Sequence, residues 1–211
     1  MESAVSPRTK SILAKVYASR FVEELSPIDY LVRVLETDES TLISELSELE
    51  NRALVKMANS VPSLTRRGRK AIVVVMAGGA FDILHPGHIE TLEQARALGD
   101  ALIVSVARDS TFEKNKSRKP HHNELMRRKL VSSIRTVDAS VLGSETDILE
   151  TVMRLKPDII ALGYDQFHSE EKILLEVKNR GLDLKVVRLK SSVPDIKSST
   201  LITNSESLRE I

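Results

Sequence analysis

Two histidines three positions apart, His85 and His88, stand in the stretch GGAFDILHPGH at residues 78–88. Pro86 lies between them and suits the first turn of a helix, where a missing N–H costs nothing. If both histidines occupy that turn, they share one face of the helix. The same turn is the positive end of the helix dipole, where phosphate groups bind. Imidazoles placed there can donate hydrogen bonds to the charge that develops as a phosphorus–oxygen bond breaks.

Other interpretations of this stretch are possible from the residues alone. It has neither the P-loop spacing nor the G-x-G-x-x-G spacing. The pair could instead be two histidines satisfied locally at a helix start, or two metal ligands. No third ligand is evident nearby and the chain has no cysteine, which argues against a zinc site. The two glycines before the pair, Gly78 and Gly79, allow a tight turn and close approach of a ligand, which favours the phosphate site.

A second group of candidate residues follows the next apolar run. Asp109 comes two residues after it, and the basic residues Lys114 and Lys116 follow within two helical turns. Runs of charge are usually solvated surface. This run lies beyond the carboxyl end of a predicted strand, so we expect one or two of its lysines to contact phosphate. His121 and His122 are predicted to lie in a surface loop.

The elements that would position these residues are those of an α/β protein. From residue 71 onward, apolar runs alternate with amphipathic helical stretches. The runs are at residues 71–77, 101–107, 140–142, 159–162 and 184–189, and the helices at 87–98, 125–134, 148–155 and 170–179. This alternation predicts a doubly wound, Rossmann-like parallel sheet of five strands. Such sheets bind ligands beyond the carboxyl ends of their strands.

The sequence before residue 71 has a different character and predicts a separate, mainly helical domain. We place the domains at residues 1–70 and 71–211. The phrases at residues 49–55 and 64–69 resemble those that close the recognition helix and the hairpin of winged-helix regulators. The unit could therefore bind DNA, mediate dimerisation, or act as a lid or spacer. Its candidate recognition helix carries five acids, which would repel DNA phosphates: Asp38, Glu39, Glu45, Glu48 and Glu50.

Composition supports a globular enzyme rather than a polyanion binder. The 211 residues contain 31 Lys and Arg against 30 Asp and Glu, with 41% hydrophobic and 3% aromatic residues. This charge balance and the scarcity of aromatic residues argue against a nucleic-acid reader. Without cysteine, thiolate nucleophiles, disulfides and iron–sulfur clusters are excluded. No apolar run is long enough for a membrane span, and we expect a cytoplasmic protein without a membrane partner.

The sequence resembles the H-x-G-H nucleotidylyltransferase superfamily, which is cytidylyltransferase-like. The resemblance rests on residues 78–88, on the Arg-Lys-Leu helix that continues to Arg-Thr-Val-Asp at 135–138, on Leu-Gly-Tyr-Asp-Gln at 162–166, and on Lys-Ser-Ser-Thr at 197–200. Among members, the archaeal FAD synthases are the most similar. The resemblance implies catalytic roles for His85, His88, Lys114 and Arg128. It implies nucleotide binding by Gly79, Ala80, Phe81, Asp82, Gly87, Asp109, Lys116, Gly163, Tyr164, Asp165, Ser198, Ser199 and Thr200.

The function that this resemblance implies is transfer of a nucleoside monophosphate from a triphosphate to a phosphorylated acceptor, with release of pyrophosphate. ATP and FMN are the favoured substrates, with Mg²⁺ as cofactor, no metal site built from protein residues, and a homodimer as the expected assembly. One alternative is a cytidylyltransferase that uses CTP to make a CDP-alcohol such as CDP-glycerol. Another is a DNA-binding regulator whose catalytic-type domain senses a nucleotide.

Overall fold

The computed structural model describes residues 5–164, 166 and 169–190. The chain begins with a helical unit of four helices and one hairpin. Its elements are α1 (Pro7–Ser19), α2 (Pro27–Leu35), α3 (Glu39–Asn51), β1 (Val55–Ala58), β2 (Val61–Leu64) and α4 (Arg66–Lys70). β1 and β2 pair antiparallel. Three helices followed by a hairpin is the order that the winged-helix resemblance predicts.

Local sequence explains where these helices begin. A short polar side chain precedes each of the four and accepts a hydrogen bond from a backbone N–H of the first turn. The four capping residues are Ser6, Ser26, Asp38 and Thr65. Gly68 is required for a different reason, because a Cβ at this position would lie 1.9 Å from the carbonyl oxygen of Leu54. The Leu-Thr-x-x-Gly-Arg phrase therefore combines a helix cap with a close backbone approach.

The remaining elements form the α/β part. They are β3 (Val74–Gly79), α5 (Pro86–Arg96), β4 (Ala101–Val106), α6 (Asp109–Lys116), α7 (Glu124–Ser132), β5 (Ala139–Leu142), α8 (Ile148–Leu155), β6 (Ile159–Leu162), α9 (Glu170–Asn179) and β7 (Lys185–Arg188). The five strands are parallel in the order β5-β4-β3-β6-β7. The predicted doubly wound sheet is confirmed. The strand order reverses between β3 and β6, which places the switch point beside β3.

Each face of the sheet carries its own apolar core. One face packs against α5 and α7, through residues such as Val75, Leu92 and Val131. The opposite face belongs to a larger cluster that includes residues of α8, α9 and the helical unit. α1 contacts β4 directly. The first helix of the chain therefore covers part of the sheet that α8 and α9 leave open.

Polar contacts strengthen this docking at the amino-terminal ends of the strands. Asp138, just before β5, accepts from Lys15 of α1, and its carbonyl accepts a 2.9 Å hydrogen bond from the Tyr30 hydroxyl. Asp158, just before β6, pairs with Arg69 of α4 at 2.9 Å. Ligands bind at the carboxyl ends of the strands, so these contacts of the helical unit lie at the ends opposite the predicted site. The boundary at residue 70 stays a prediction, and the two parts share one apolar cluster.

Candidate active site

The turn after β3 brings the first candidate residues together. A Cβ on Gly79 would lie 2.9 Å from the ring of Phe81, so only glycine fits there without displacing that ring. Phe81 has a left-handed backbone with φ of 50°, and its side chain is buried. Its ring lies 5.2 Å from the ring of His88, measured between centroids. The tight turn thus places an aromatic wall behind the histidine pair.

His85 and His88 lie against each other at the start of α5. His85 is the N-cap residue, and its carbonyl accepts a 2.9 Å hydrogen bond from the His88 N–H. The two ring centroids are 3.9 Å apart with 35° between the planes. Burial lowers the pKa of His88, and the neighbouring His85 lowers it further, to about 4. His88 is therefore neutral at pH 7, at the positive end of a helix dipole.

Asp82 ties this turn to the segment that follows α6. Its buried carboxylate accepts hydrogen bonds of 2.7 Å from the Arg118 guanidinium and 2.7 Å from the His121 backbone N–H. The His121 ring lies 3.2 Å from the same carboxylate. Burial acts to raise the pKa of Asp82, but these hydrogen bonds outweigh it and the pKa falls below its ordinary value. An ionised Asp82 therefore holds the two segments together.

Arg127 of α7 is fully buried and joins the loops after β3 and β4. Its guanidinium donates to the carbonyl of Ala80, to that of Ala107 at 2.8 Å, and to the carboxylate of Asp109 at 2.6 Å. Arg127 is not among the site residues that the sequence predicts. Its only signal was a pair of adjacent arginines, and sequence alone does not say which one faces the sheet.

Arg128, the predicted phosphate-contacting residue, forms ion pairs with the helical unit. Its guanidinium pairs with Glu23 at 3.0 Å and Glu24 at 3.1 Å, both in the segment between α1 and α2. Adjacent residues on a helix point about 100° apart, so Arg127 and Arg128 reach different surroundings. In this structure Arg128 contacts the helical unit, and the phosphate contact expected from the Arg-Lys-Leu motif stays a prediction.

The other predicted residues fall into three groups. Gly87 lies in the first turn of α5 and Asp109 is the first residue of α6. Lys114 and Lys116 lie in the last turn of α6 with exposed side chains. Four more predicted residues lie outside the described part of the chain: Asp165, Ser198, Ser199 and Thr200.

The loop after β6 is linked to the end of β3. The carbonyl of Gly163 accepts a 3.1 Å hydrogen bond from Arg188, and Tyr164 is exposed. Gln166 donates a 2.6 Å hydrogen bond to the carbonyl of Gly78. Neither Arg188 nor Gln166 was predicted. Together these contacts close the switch-point side of the site.

Two carboxylates of the loops around the site are engaged by other residues. Asp82 is bound to Arg118 and His121, and Asp109 to Arg127. Within residues 5–164, 166 and 169–190, no group of three or more acidic or histidine side chains could hold a metal ion. In the same ranges no helix is long and apolar enough to cross a membrane.

The sheet order and the histidines at its switch point are those of a nucleotide-binding α/β enzyme. Comparison with known proteins gives the family. The profile of the cytidylyltransferase-like family matches residues 76–204, and the chain belongs to that family. Its activity class is accordingly nucleotidyltransferase.

Curated relatives of the chain are archaeal FAD synthases. The FAD synthase of Aciduliprofundum boonei is 55% identical over 119 residues, which cover 56% of this chain and 79% of that enzyme. The FAD synthase of Archaeoglobus profundus is 52% identical over 122 residues, covering 57% of this chain and 76% of that enzyme. These matches leave more than two fifths of the chain uncovered, and the family profile begins after the helical unit.

Solved structures agree with the fold. A lipopolysaccharide core biosynthesis protein from Thermoplasma volcanium is 43% identical, with a TM-score of 0.56 over 58% of this chain and 99% of its own. A pantoate-beta-alanine ligase from Francisella tularensis aligns over 80% of this chain and 73% of its own, with a TM-score of 0.50. At 16% identity the second likeness concerns the fold alone.

Proposed function

We propose that the protein transfers the adenylyl group of ATP to FMN, forming FAD and pyrophosphate. The observation that carries the proposal is the contact between the His85 and His88 rings at the start of α5, beside the switch point. The similarity to FAD synthases supports the choice of ATP and FMN. A reaction between these substrates fits the cytoplasm, which is the location we propose.

The reaction is a single displacement at phosphorus. A phosphate oxygen of FMN attacks the α-phosphorus of ATP and forms the new phosphorus–oxygen bond. The bond from the α-phosphorus to the oxygen that bridges to the β-phosphate breaks, and pyrophosphate leaves with that electron pair. No residue becomes covalently attached. Catalysis comes from placing the two polyanions in line and from stabilising the developing charge.

The histidine pair would bind the α-phosphate region. A neutral imidazole has one N–H to donate, and the dipole of α5 adds a favourable field for the phosphate. Binding of a triphosphate beside His88 would raise the pKa of that ring, because a nearby negative charge favours the protonated form. The pair can thus strengthen its hydrogen bonds as charge accumulates.

Positive charge from α6 would help to neutralise the leaving pyrophosphate. Lys114 and Lys116 are exposed on this helix and follow the carboxyl end of β4. We propose that one of them contacts the β- or γ-phosphate, together with Ser198, Ser199 and Thr200. Arg127 is a positioning residue, since its contacts hold the loops that carry Ala80 and Asp109. Mg²⁺ would enter with ATP, held by phosphate oxygens.

The helical unit would support the α/β part of the same chain. α1 contacts β4, and Arg128 is anchored by Glu23 and Glu24. Glu39, Glu48 and Glu50 lie exposed on α3, the helix that would have to enter a major groove. We propose that the unit covers and stabilises the sheet and does not bind DNA. Dimerisation through it stays a prediction.

The test of the proposed function is a pyrophosphate-release assay that crosses ATP and CTP with FMN and glycerol 3-phosphate. We expect release only with ATP and FMN, and FAD as the product identified by chromatography. Release with CTP and glycerol 3-phosphate, and none with FMN, would replace the proposal by the cytidylyltransferase alternative. The absence of release from every pair would reject both.

A further inference from the structure

A cavity lies near the amino-terminal ends of the strands, opposite the histidine pair. Its volume is about 500 Å³, and it is lined by the end of α1, by α4, by the end of α8 and by Asp158, just before β6. Both the helical unit and the α/β part contribute walls. The cavity therefore exists only where the two parts are docked.

The charge that lines this cavity is strongly one-sided. Five basic side chains face a single carboxylate, that of Asp158. The five are Arg20, Arg69, Lys70, Arg154 and Lys156. Asp158 is already engaged, with Arg69 at 2.9 Å and with the Val74 backbone N–H at 2.6 Å.

The other four cations have no carboxylate partner among the residues that the structure describes. Arg154 donates to the carbonyl of Leu142 at 2.8 Å. Arg20 lies over the ring of Tyr17, with its guanidinium carbon 5.6 Å from the ring centroid. Lys70 and Lys156 are exposed and form no described ion pair. The cavity thus keeps four positive charges in excess.

The C-terminal ends of helices offset only part of this excess positive charge. α1, α4 and α8 all end at the cavity, and a helix C-terminus carries about half a negative charge. Three such ends would offset about one and a half of the four positive charges. The remaining positive charge on this concave surface attracts an anion. Arginine forks and flexible lysines are the side chains that bind phosphate.

We infer that this cavity binds a small phosphate-bearing anion, at a site separate from the histidine pair. Its volume is in the range of small-molecule sites, about 300–1,000 Å³. Walls from both parts of the chain enclose a small anion more closely than they could enclose a nucleic-acid duplex. Because the ligand would contact α1, α4 and α8 together, its binding would strengthen the docking of the helical unit.

The test uses the full chain with inorganic pyrophosphate as the probe, titrated by calorimetry. The variant Lys70→Gln/Lys156→Gln removes two of the four unpaired cations. The matched control is Lys56→Gln/Lys178→Gln, which removes the same charge from exposed positions outside the cavity. A His85→Ala/His88→Ala variant weakens binding at the proposed catalytic site and leaves the cavity unchanged.

We expect two binding sites in the unaltered protein and in the control variant. Lys70→Gln/Lys156→Gln should bind about tenfold or more weakly at one site, because a hydrogen bond to a charged group contributes about that factor. The His85→Ala/His88→Ala variant should keep that site. Arg20→Gln, measured in parallel, should weaken the same site.

Two results would overturn the inference. One is equal pyrophosphate binding by Lys70→Gln/Lys156→Gln and its control. The other is loss of duplex DNA binding in the cavity variant with no change in pyrophosphate binding, which would assign the cations to nucleic acid. Pyrophosphate release from ATP and FMN should be unchanged in the cavity variant. Failure of the cavity site is thereby distinguished from failure of the proposed function.

Discussion

Arg127 donates a 2.6 Å hydrogen bond to the carboxylate of Asp109 from a fully buried position, whereas the next residue, Arg128, contacts the helical unit. The two side chains are chemically identical. They differ in which loops they join, because the helix turns by about 100° between them. Arg127 is therefore part of the wall behind the site, and Arg128 is part of the contact between the two halves of the chain.

This difference predicts unequal effects for a matched pair of substitutions. Arg127→Met leaves the carbonyls of Ala80 and Ala107 without their donor, which costs about 1–3 kcal/mol for each acceptor left unsatisfied. Arg128→Met removes ion pairs to two exposed glutamates, which contribute about 0–1 kcal/mol. Urea denaturation of both variants measures the difference. Equal losses of unfolding free energy would contradict the role assigned to Arg127.

The depressed pKa of His88 predicts a pH dependence of stability. The pKa is about 4 in the folded chain and has an ordinary value of 6.5. Between these values the unfolded chain binds more protons at His88. The contribution of this residue to the free energy of unfolding therefore rises with pH from about 4 to 6.5 and is constant above that range. The shift corresponds to about 3 kcal/mol.

The comparison that isolates this effect is between the unaltered chain and His88→Gln. Denaturation is measured at several pH values for both proteins. Subtracting one profile from the other removes the contribution of every carboxylate that titrates in both. A difference that stays constant from pH 4 to 6.5 would show that the His88 ring does not have a lowered pKa.

The histidine pair also predicts the kinetic effect of His88→Ala. Removal of one preorganised donor to a transition state costs about 10²–10³ in kcat. The fold should be kept, because the His88 side chain is only partly buried. The measurement is pyrophosphate release with ATP and FMN. His122→Ala is the control, since His122 is exposed and should turn over normally. Near-normal turnover by His88→Ala would exclude the mechanism.

Sequence alone predicted most of the sheet because parallel strands covered on both faces read as continuous apolar runs. Residues 159–162 and 170–179 coincide with β6 and α9. The first apolar run, at residues 71–77, begins three residues before the strand β3. Ala71 caps the end of α4, and the strand ladder begins only at Val74. Hydropathy marks burial, but it does not mark where strand pairing starts.

The sequence did not predict where a charged side chain is buried or where apolar side chains are exposed. On α7 the buried positions include Arg127, whereas Leu125 and Met126 are more than half exposed. α6 buries only Phe112, so no apolar stripe indicated a helix there. The histidine pair was located because glycines, a proline and the helix start mark it in the sequence. Arg127 has no such local signal, since its partners come from loops 20 and 47 residues away.

The exposed acids of α3 predict that the helical unit does not bind DNA. A helix in the major groove meets phosphates on both sides, and binding depends on their neutralisation by Lys or Arg. Gel-shift experiments with the chain's own promoter region, over a range of salt concentrations, should show no specific complex. Glu39→Lys/Glu48→Lys should gain weak, salt-sensitive binding. A specific complex with the unaltered chain would assign the unit to gene regulation.

Because α1 belongs to the same apolar cluster as one face of the sheet, the two parts should unfold together. Leu13 is fully buried in that cluster, and Leu→Ala at such a site costs about 2–5 kcal/mol. Leu13→Ala should lower the midpoint of a single transition, observed by circular dichroism and by tyrosine fluorescence alike. Leu175→Ala, at an exposed position on α9, should change stability by about 0.5 kcal/mol or less. Two separate transitions, with the unfolding of the sheet unaffected by Leu13→Ala, would show that the helical unit folds independently of the α/β part.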